Sequence, residues 1–208
     1  MRVKIVDMAK TLLLASVAAL SVLAASAAQA ADIRFERSVD SSRTWGIFIE
    51  GDIVKGDYAK FKRLADRLPS GSPVLVTSRG GILVEGLNIG TYIRERRFTT
   101  FVYDYCMSVC AMMWLAGNPR AAPSDAAIGF HGAGYENGES SIAGNALVGA
   151  YLANLGFNYK MIATLINVGP QEMNWLSFEW ARALGIQVIK SGPCTNVYTG
   201  AVVRCSRD

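Results

Sequence analysis

The chain has 208 residues, 51% of them hydrophobic and 18% charged, with a formal net charge of +4 at pH 7. That length fits one globular domain or at most two small ones. The apolar content excludes an intrinsically disordered chain, and the residue usage excludes collagen-like and coiled-coil rods.

The first thirty residues have the three parts of an export signal. Arg2, Lys4 and Lys10 give a basic start, Leu12 to Ala25 an apolar stretch of 14 residues, and Ala28-Gln29-Ala30 the small-x-small pattern of a cleavage site. The apolar stretch is shorter than the ~20 residues of a membrane span, although an uncleaved anchor is the competing reading. No later segment has a long uninterrupted apolar run. The expectation is a signal peptide over 1–30 and one mature domain over 31–208, exported to the periplasm or secreted, with no membrane span after cleavage.

The signal holds three basic residues and one acid, Asp7, so the mature chain keeps 18 basic and 16 acidic side chains. A net charge of +2 gives no ground for expecting nucleic acid or an anionic membrane as a partner.

All four cysteines, Cys106, Cys110, Cys194 and Cys205, lie in the mature part. An even count in an exported chain favours disulfides. Pairing Cys194 with Cys205 would close a C-terminal hairpin within 191–208, leaving Cys106 with Cys110 as a local bridge, but sequence alone allows three connectivities. A metal site is not expected, because the C-x3-C spacing has no nearby histidine and no second knuckle.

Strand and helix signals alternate along the mature chain. Thr44 to Glu50 is a β-rich run, and Phe61, Leu64, Ala65 and Leu68 have the spacing of one helical face. Val74 to Thr77 reads as a buried strand, after which Gly80-Gly81 turns the chain into a helix carrying Leu83, Leu87 and Ile93. Thr99 to Tyr103 is a further strand, followed by an apolar helix from Val109 to Leu115. Ala127 to Phe130 is a strand ending at His131, and Gly132 to Ser141 is a Gly- and Ser-rich segment with the composition of a flexible loop. Leu147, Val148, Tyr151, Leu152 and Leu155 mark a long amphipathic helix, and the pair Trp175 and Trp180 reads as core. Repeated β–α units of this kind predict an α/β domain with a largely parallel sheet.

Three strand ends in that pattern carry residues suited to acyl transfer, which needs a nucleophile, a base and backbone N–H groups aimed at an oxyanion. Ser108 precedes the apolar helix, where unpaired N–H groups favour negative charge. Gly80-Gly81 lacks Cβ atoms and lets a substrate approach the backbone. His131, the only histidine, ends a third strand. In a parallel sheet all three fall on the edge where ligands bind. The residues alone leave an equal alternative, in which Ser108 caps its helix and the glycines only turn the chain.

The succession Gly51-Asp52-Ile53, Ser78-Arg79-Gly80-Gly81 opening a helix, Ser108 nine residues before Gly117, and Ile128-Gly129-Phe130-His131 resembles the Clp protease proteolytic subunit within the ClpP/crotonase superfamily. Trp175-Leu176-Ser177, followed by Ala181 and Leu184-Gly185-Ile186, is similar to the closing segment of that fold. The resemblance runs from about Ile47 to Val188 and extends in particular to exported Clp-like proteins with a C-x-S-x-C segment. It implies a ClpP/crotonase-like spiral of repeated ββα units, frequently assembled into rings or trimers, and hence a homo-oligomer. It also implies Ser108 as nucleophile, His131 as general base, and Gly81 and Val109 as oxyanion-hole donors with Gly80 beside them. The acid of the resembled triad would fall at Met173, which cannot serve; Glu172 and Asn174 flank it and are the candidates for an uncertain third member. The second departure is the cysteine pair around Ser108, expected to form a disulfide that fixes the turn.

The sequence therefore predicts a serine peptidase-like acyl hydrolase acting on a peptide or protein, with no cofactor. The alternative is a catalytically inactive peptide-binding or scaffold protein on the same fold. A thiol nucleophile is disfavoured by an oxidising compartment, and an acyl-CoA enzyme by the poor access of an exported protein to that substrate. No phosphate-binding P-loop is present, and export makes an ATPase partner unexpected.

Overall fold

The computed structural model describes residues 30–37, 45–191, 194–197 and 202–205, so the expected export signal lies outside the described residues up to Gln29. Strands β1 (Asp32–Arg37) and β2 (Trp45–Glu50) form an antiparallel pair, and β2 continues in parallel to β3 (Pro73–Ser78) and β4 (Thr99–Met107). The parallel neighbours are joined by helices α1 (Asp57–Ala65) and α2 (Leu83–Glu95), as parallel crossovers require. Ile47, Ile49, Val74, Val76 and Val102 are fully buried, consistent with central strands covered by helices.

With β3 along one edge, β4 divides its other edge between two partners. Its first half pairs with β5 (Arg120–Pro123) through Thr100 and Phe101, and its last residues pair with β6 (Ala127–Phe130) through Tyr105, Cys106 and Met107. The sheet branches here: β5 leads to β8 (Ile189–Ser191), while β6 takes β7 (Asn174–Trp175) in antiparallel pairing. Beyond lie helices α4 (Ile142–Asn154), α5 (Tyr159–Leu165) and α6 (Phe178–Ala183). Strands β9 (Cys194–Val197) and β10 (Val202–Cys205) form an antiparallel ladder with Cys194 opposite Cys205. That register is the one the expected hairpin requires; the side chains of 192–208, and with them the second bridge, lie outside the described residues.

Helix α3 (Val109–Ala116) begins two residues after β4 ends, and all eight of its residues are buried. A helix apolar on every side has no solvent face and belongs inside the molecule, which accounts for the run Val-Cys-Ala-Met-Met-Trp-Leu-Ala. Trp114 anchors it, donating its indole N–H to the Ala121 carbonyl at 3.0 Å. Against α3 lies α2, which offers glycines where the two helices meet. A Cβ at Gly86 would fall inside contact distance of both methyls of Val109, and one at Gly90 would meet the Tyr151 phenol and the Met113 backbone. The Tyr151 hydroxyl donates to Met112 O at 2.9 Å, and burial holds that phenol in its neutral form, well above its usual pKa.

The strand expected over 99–103 extends to Met107, because pairing with β6 is a long-range contact that local composition does not carry. Residues 132–141, expected as a flexible loop, are hydrogen-bonded at both ends, from Gly132 N–H to Val168 O and from Ser141 N–H to Ala133 O. Trp175 is 55% exposed and is not a core residue, because β7 lies at the margin of the sheet.

The α2–α3 contact predicts the effect of Gly86→Val. The added methyls overlap Val109 from several directions, and overpacking of this kind costs about 1–3 kcal/mol. That exceeds the few tenths of a kcal/mol by which valine improves on glycine in a helix. Thermal unfolding is expected to shift to lower temperature; an unchanged midpoint would show that the helices separate without cost.

Candidate active site

Ser108 is the single residue between β4 and α3, with φ 57° and ψ −130°. Among the described residues, Arg97 is the only other non-glycine with positive φ. Such a conformation costs of order 1–3 kcal/mol and persists only where its surroundings enforce it. Here they do. The Ser108 N–H donates to Gly129 O on β6 at 2.9 Å, and its carbonyl accepts from Ala111 N at 3.0 Å and Met112 N at 3.4 Å. A disulfide joins Cys106, in the strand, to Cys110, in the helix, and so brackets the turn from both sides. The expected bridge is present, and both of its residues are fully buried.

Although Ser108 occupies the N-cap position, its side chain makes no capping hydrogen bond. The capping alternative is thereby removed. The N-caps of α4, α5 and α6 provide the contrast: Ser141, Asn158 and Ser177 each accept from a first-turn N–H. Ser108 is partly exposed, and its hydroxyl is not spent on the helix.

Gly80 stands directly against this turn, and Gly81 against the backbone of Ile53. A Cβ at Gly80 would lie 2.6 Å from Ser108 Cβ and 3.1 Å from Oγ, so no larger residue fits. Both glycines have positive φ, 109° and 134°. Their backbone is held by Ile53, whose N–H donates to Gly80 O at 2.7 Å and whose carbonyl accepts from Ile82 N at 2.8 Å. In this parallel bridge the Gly80 carbonyl and the Ile82 N–H face Ile53, so the intervening Gly81 N–H faces away from it. Neither that N–H nor the N–H of Val109 has a hydrogen-bond partner among the described residues. The N–H of Gly80 is already committed to Ser78 Oγ at 3.0 Å, so Gly80 contributes closeness to Ser108 rather than a donor.

His131 follows β6, two residues beyond the carbonyl that holds Ser108. Its Nδ1 lies 2.7 Å from the Gly132 carbonyl oxygen. A carbonyl only accepts, so this contact requires the proton on Nδ1, and in the neutral ring the lone pair is then on Nε2. This contact is absent from the sequence pattern, in which a glycine after a histidine has no distinctive signal.

The residues beside the expected third member separate cleanly. Asn174 pairs with Phe130 across the β6–β7 ladder, so Met173 is in register with His131 and Trp175 with Gly129. A Cβ at Gly129 would meet Met173 Cγ at 2.6 Å and Trp175 Cζ3 at 3.1 Å, which puts both on the face that Gly129 and His131 share. The Asn174 side chain lies on the other face, donating from Nδ2 to Thr164 O, Leu165 O and Asn167 Oδ1 at the end of α5. Glu172 is exposed in the turn 169–172. Neither is hydrogen-bonded to His131 among the described residues. Among the described residues there is no cluster of metal-ligating side chains, and no helix is long and apolar enough to cross a membrane.

No family model and no curated protein matches this chain. Solved structures do. ClpP1 from Listeria monocytogenes superposes with a TM-score of 0.54 at 18% identity, covering 74% of this chain and 91% of that one. A mutant form of the same Listeria protein gives 0.54 at 19% identity with the same coverage. The ClpP protease catalytic domain from Plasmodium falciparum gives 0.54 at 16%, covering 73% and 88%. The chain has the ClpP-type fold, as its motifs imply.

The bracketing disulfide closes a very short loop, for which chain-entropy arguments give about 2 kcal/mol. Replacing Cys106 and Cys110 by alanine is expected to lower unfolding stability by about that amount. Because both residues are buried, the native bond is expected to resist thiol reductants until denaturant is added; rapid reduction in native buffer would contradict this placement.

Proposed function

We propose that the mature protein is an exported, periplasmic serine-type acyl hydrolase that cleaves peptides, and that it works as a homo-oligomer. The observation that carries this reading is the backbone of Ser108, whose strained conformation holds a side chain at a helix N-terminus without letting it cap. Such strain gathers at functional sites. Cleavage after Ala30 would leave Ala31, a buried residue whose carbonyl is bound by Lys60 Nζ at 3.0 Å, as the first residue.

In this mechanism the His131 Nε2 removes the proton of Ser108 Oγ as that oxygen attacks the substrate carbonyl. The developing oxyanion takes hydrogen bonds from the Gly81 and Val109 N–H groups, and the positive end of α3 adds to their field. His131 then passes its proton to the leaving amine, and the acyl group remains on Ser108. Water attacks that ester with His131 again as base, releasing the acid and restoring the serine. Neither a cofactor nor ATP enters any step.

Met173 favours a second reading, a peptide-binding scaffold that has lost catalysis. It puts a thioether on the His131 face, in the register where the resembled triad has its acid. Loss of a triad aspartate costs about 10⁴-fold in rate, so a hydrolase built this way is slow unless another acceptor orients the imidazole.

A fluorophosphonate probe applied to the oxidised mature protein separates the two readings. The hydrolase reading expects labelling of the wild type that is abolished by Ser108→Ala and strongly reduced by His131→Ala. Absence of labelling in the folded wild type would support the scaffold instead.

A further inference from the structure

The carbonyl that accepts from His131 Nδ1 belongs to the Gly132–Ala133 peptide, and that peptide is held from its other side. The Ala133 N–H donates to Asn145 Oδ1 at 2.7 Å. Asn145 lies in the first turn of α4, where its own N–H donates to Ser141 O at 2.9 Å. Its acceptor is the amide oxygen, because the partner is an N–H. Gly132 is buried, its N–H donates to Val168 O at 3.0 Å, and a Cβ there would lie 3.2 Å from Asn145 Oδ1. The peptide plane is therefore pinned on both flanks.

We infer that Asn145 is a positioning residue for His131, acting through the Gly132–Ala133 peptide in place of a triad acid. The chain of contacts runs from Asn145 Oδ1 to the Ala133 N–H, across the peptide to the Gly132 carbonyl, and on to His131 Nδ1–H. Hydrogen bonds in series polarise one another, so the bond at Ala133 strengthens the carbonyl as an acceptor. It also fixes the carbonyl's direction, and with it the tautomer that leaves Nε2 free. A carboxylate at position 173 is then unnecessary for orientation, and Met173 is tolerated. This role rests on the hydrolase reading for its purpose but not for its test.

The test uses the single histidine of the chain, whose imidazole nitrogens are assigned without ambiguity by ¹⁵N NMR of the mature protein above its titration range. The wild type is expected to hold the Nδ1–H tautomer. Asn145→Ala, which favours the helix, is expected to shift the population toward Nε2–H and to slow fluorophosphonate labelling of Ser108 by about tenfold or more. Asn145→Asp keeps an acceptor oxygen and is expected to restore the Nδ1–H tautomer. An unchanged tautomer in Asn145→Ala, or an Asp variant that behaves like the Ala variant, would overturn the assignment. If the wild type is not labelled, the hydrolase reading fails while the tautomer measurement still decides the role of Asn145.

Discussion

The constraint on which the structure depends is the one-residue passage from β4 to α3. The strand is paired along both edges and the helix is buried on every side, so neither can shift to ease the turn. Ser108 absorbs the change of direction with φ 57°. Everything nearby is fitted to that conformation: the Gly129 carbonyl receives its N–H, the disulfide ties strand to helix, and Gly80 gives up a side chain to let the turn pass. Burial of α3 supplies the stabilisation that offsets the strain, at roughly 1.5–3 kcal/mol for each large apolar side chain removed from water.

The same passage fixes the chemistry at this edge. A helix start brings unpaired N–H groups, and the neighbouring glycine turn brings another whose direction is set by the bridge to Ile53. The side chain of Ser108, beside Gly80, makes no capping bond to its helix. On the far side, β6 holds the Ser108 N–H through Gly129 and presents His131 two residues later. One strand thus supports the proposed nucleophile and leads directly into the proposed base, so the β4–β6 register contributes to their relative placement. Met173 and Trp175 form an apolar border on the His131 face, so orientation of the imidazole falls to the Gly132 carbonyl.

Much of this was legible in the sequence because the signals are local. The run Ala127 to Phe130 is a strand as expected, and the all-apolar stretch after Ser108 and the Gly pair after a β-rich run follow the carboxyl ends of parallel strands. The Cys106–Cys110 bridge was readable from its spacing together with the expectation of export. What escaped depends on pairings between distant segments. The last residues of β4 become strand only through β6, and β1, β5 and α5 have too few periodic residues to announce themselves. Trp175 is apolar but sits on a two-residue marginal strand, a position that composition cannot distinguish from core. The glycine-rich segment after His131 has the composition of a flexible loop, yet backbone carbonyls and one asparagine hold it in place. No pattern of residue types encodes a carbonyl as a histidine's partner.

The central claim is that Ser108 and the N–H groups around it form a preorganised acyl-transfer site, and it is tested most directly by a crystal structure of the protein reacted with a peptidyl phosphonate. The account predicts a covalent bond at Ser108 Oγ, with the phosphonyl oxygen about 2.7–3.1 Å from the N atoms of Gly81 and Val109. An adduct whose oxygen points to solvent, or one formed on another residue, would contradict it.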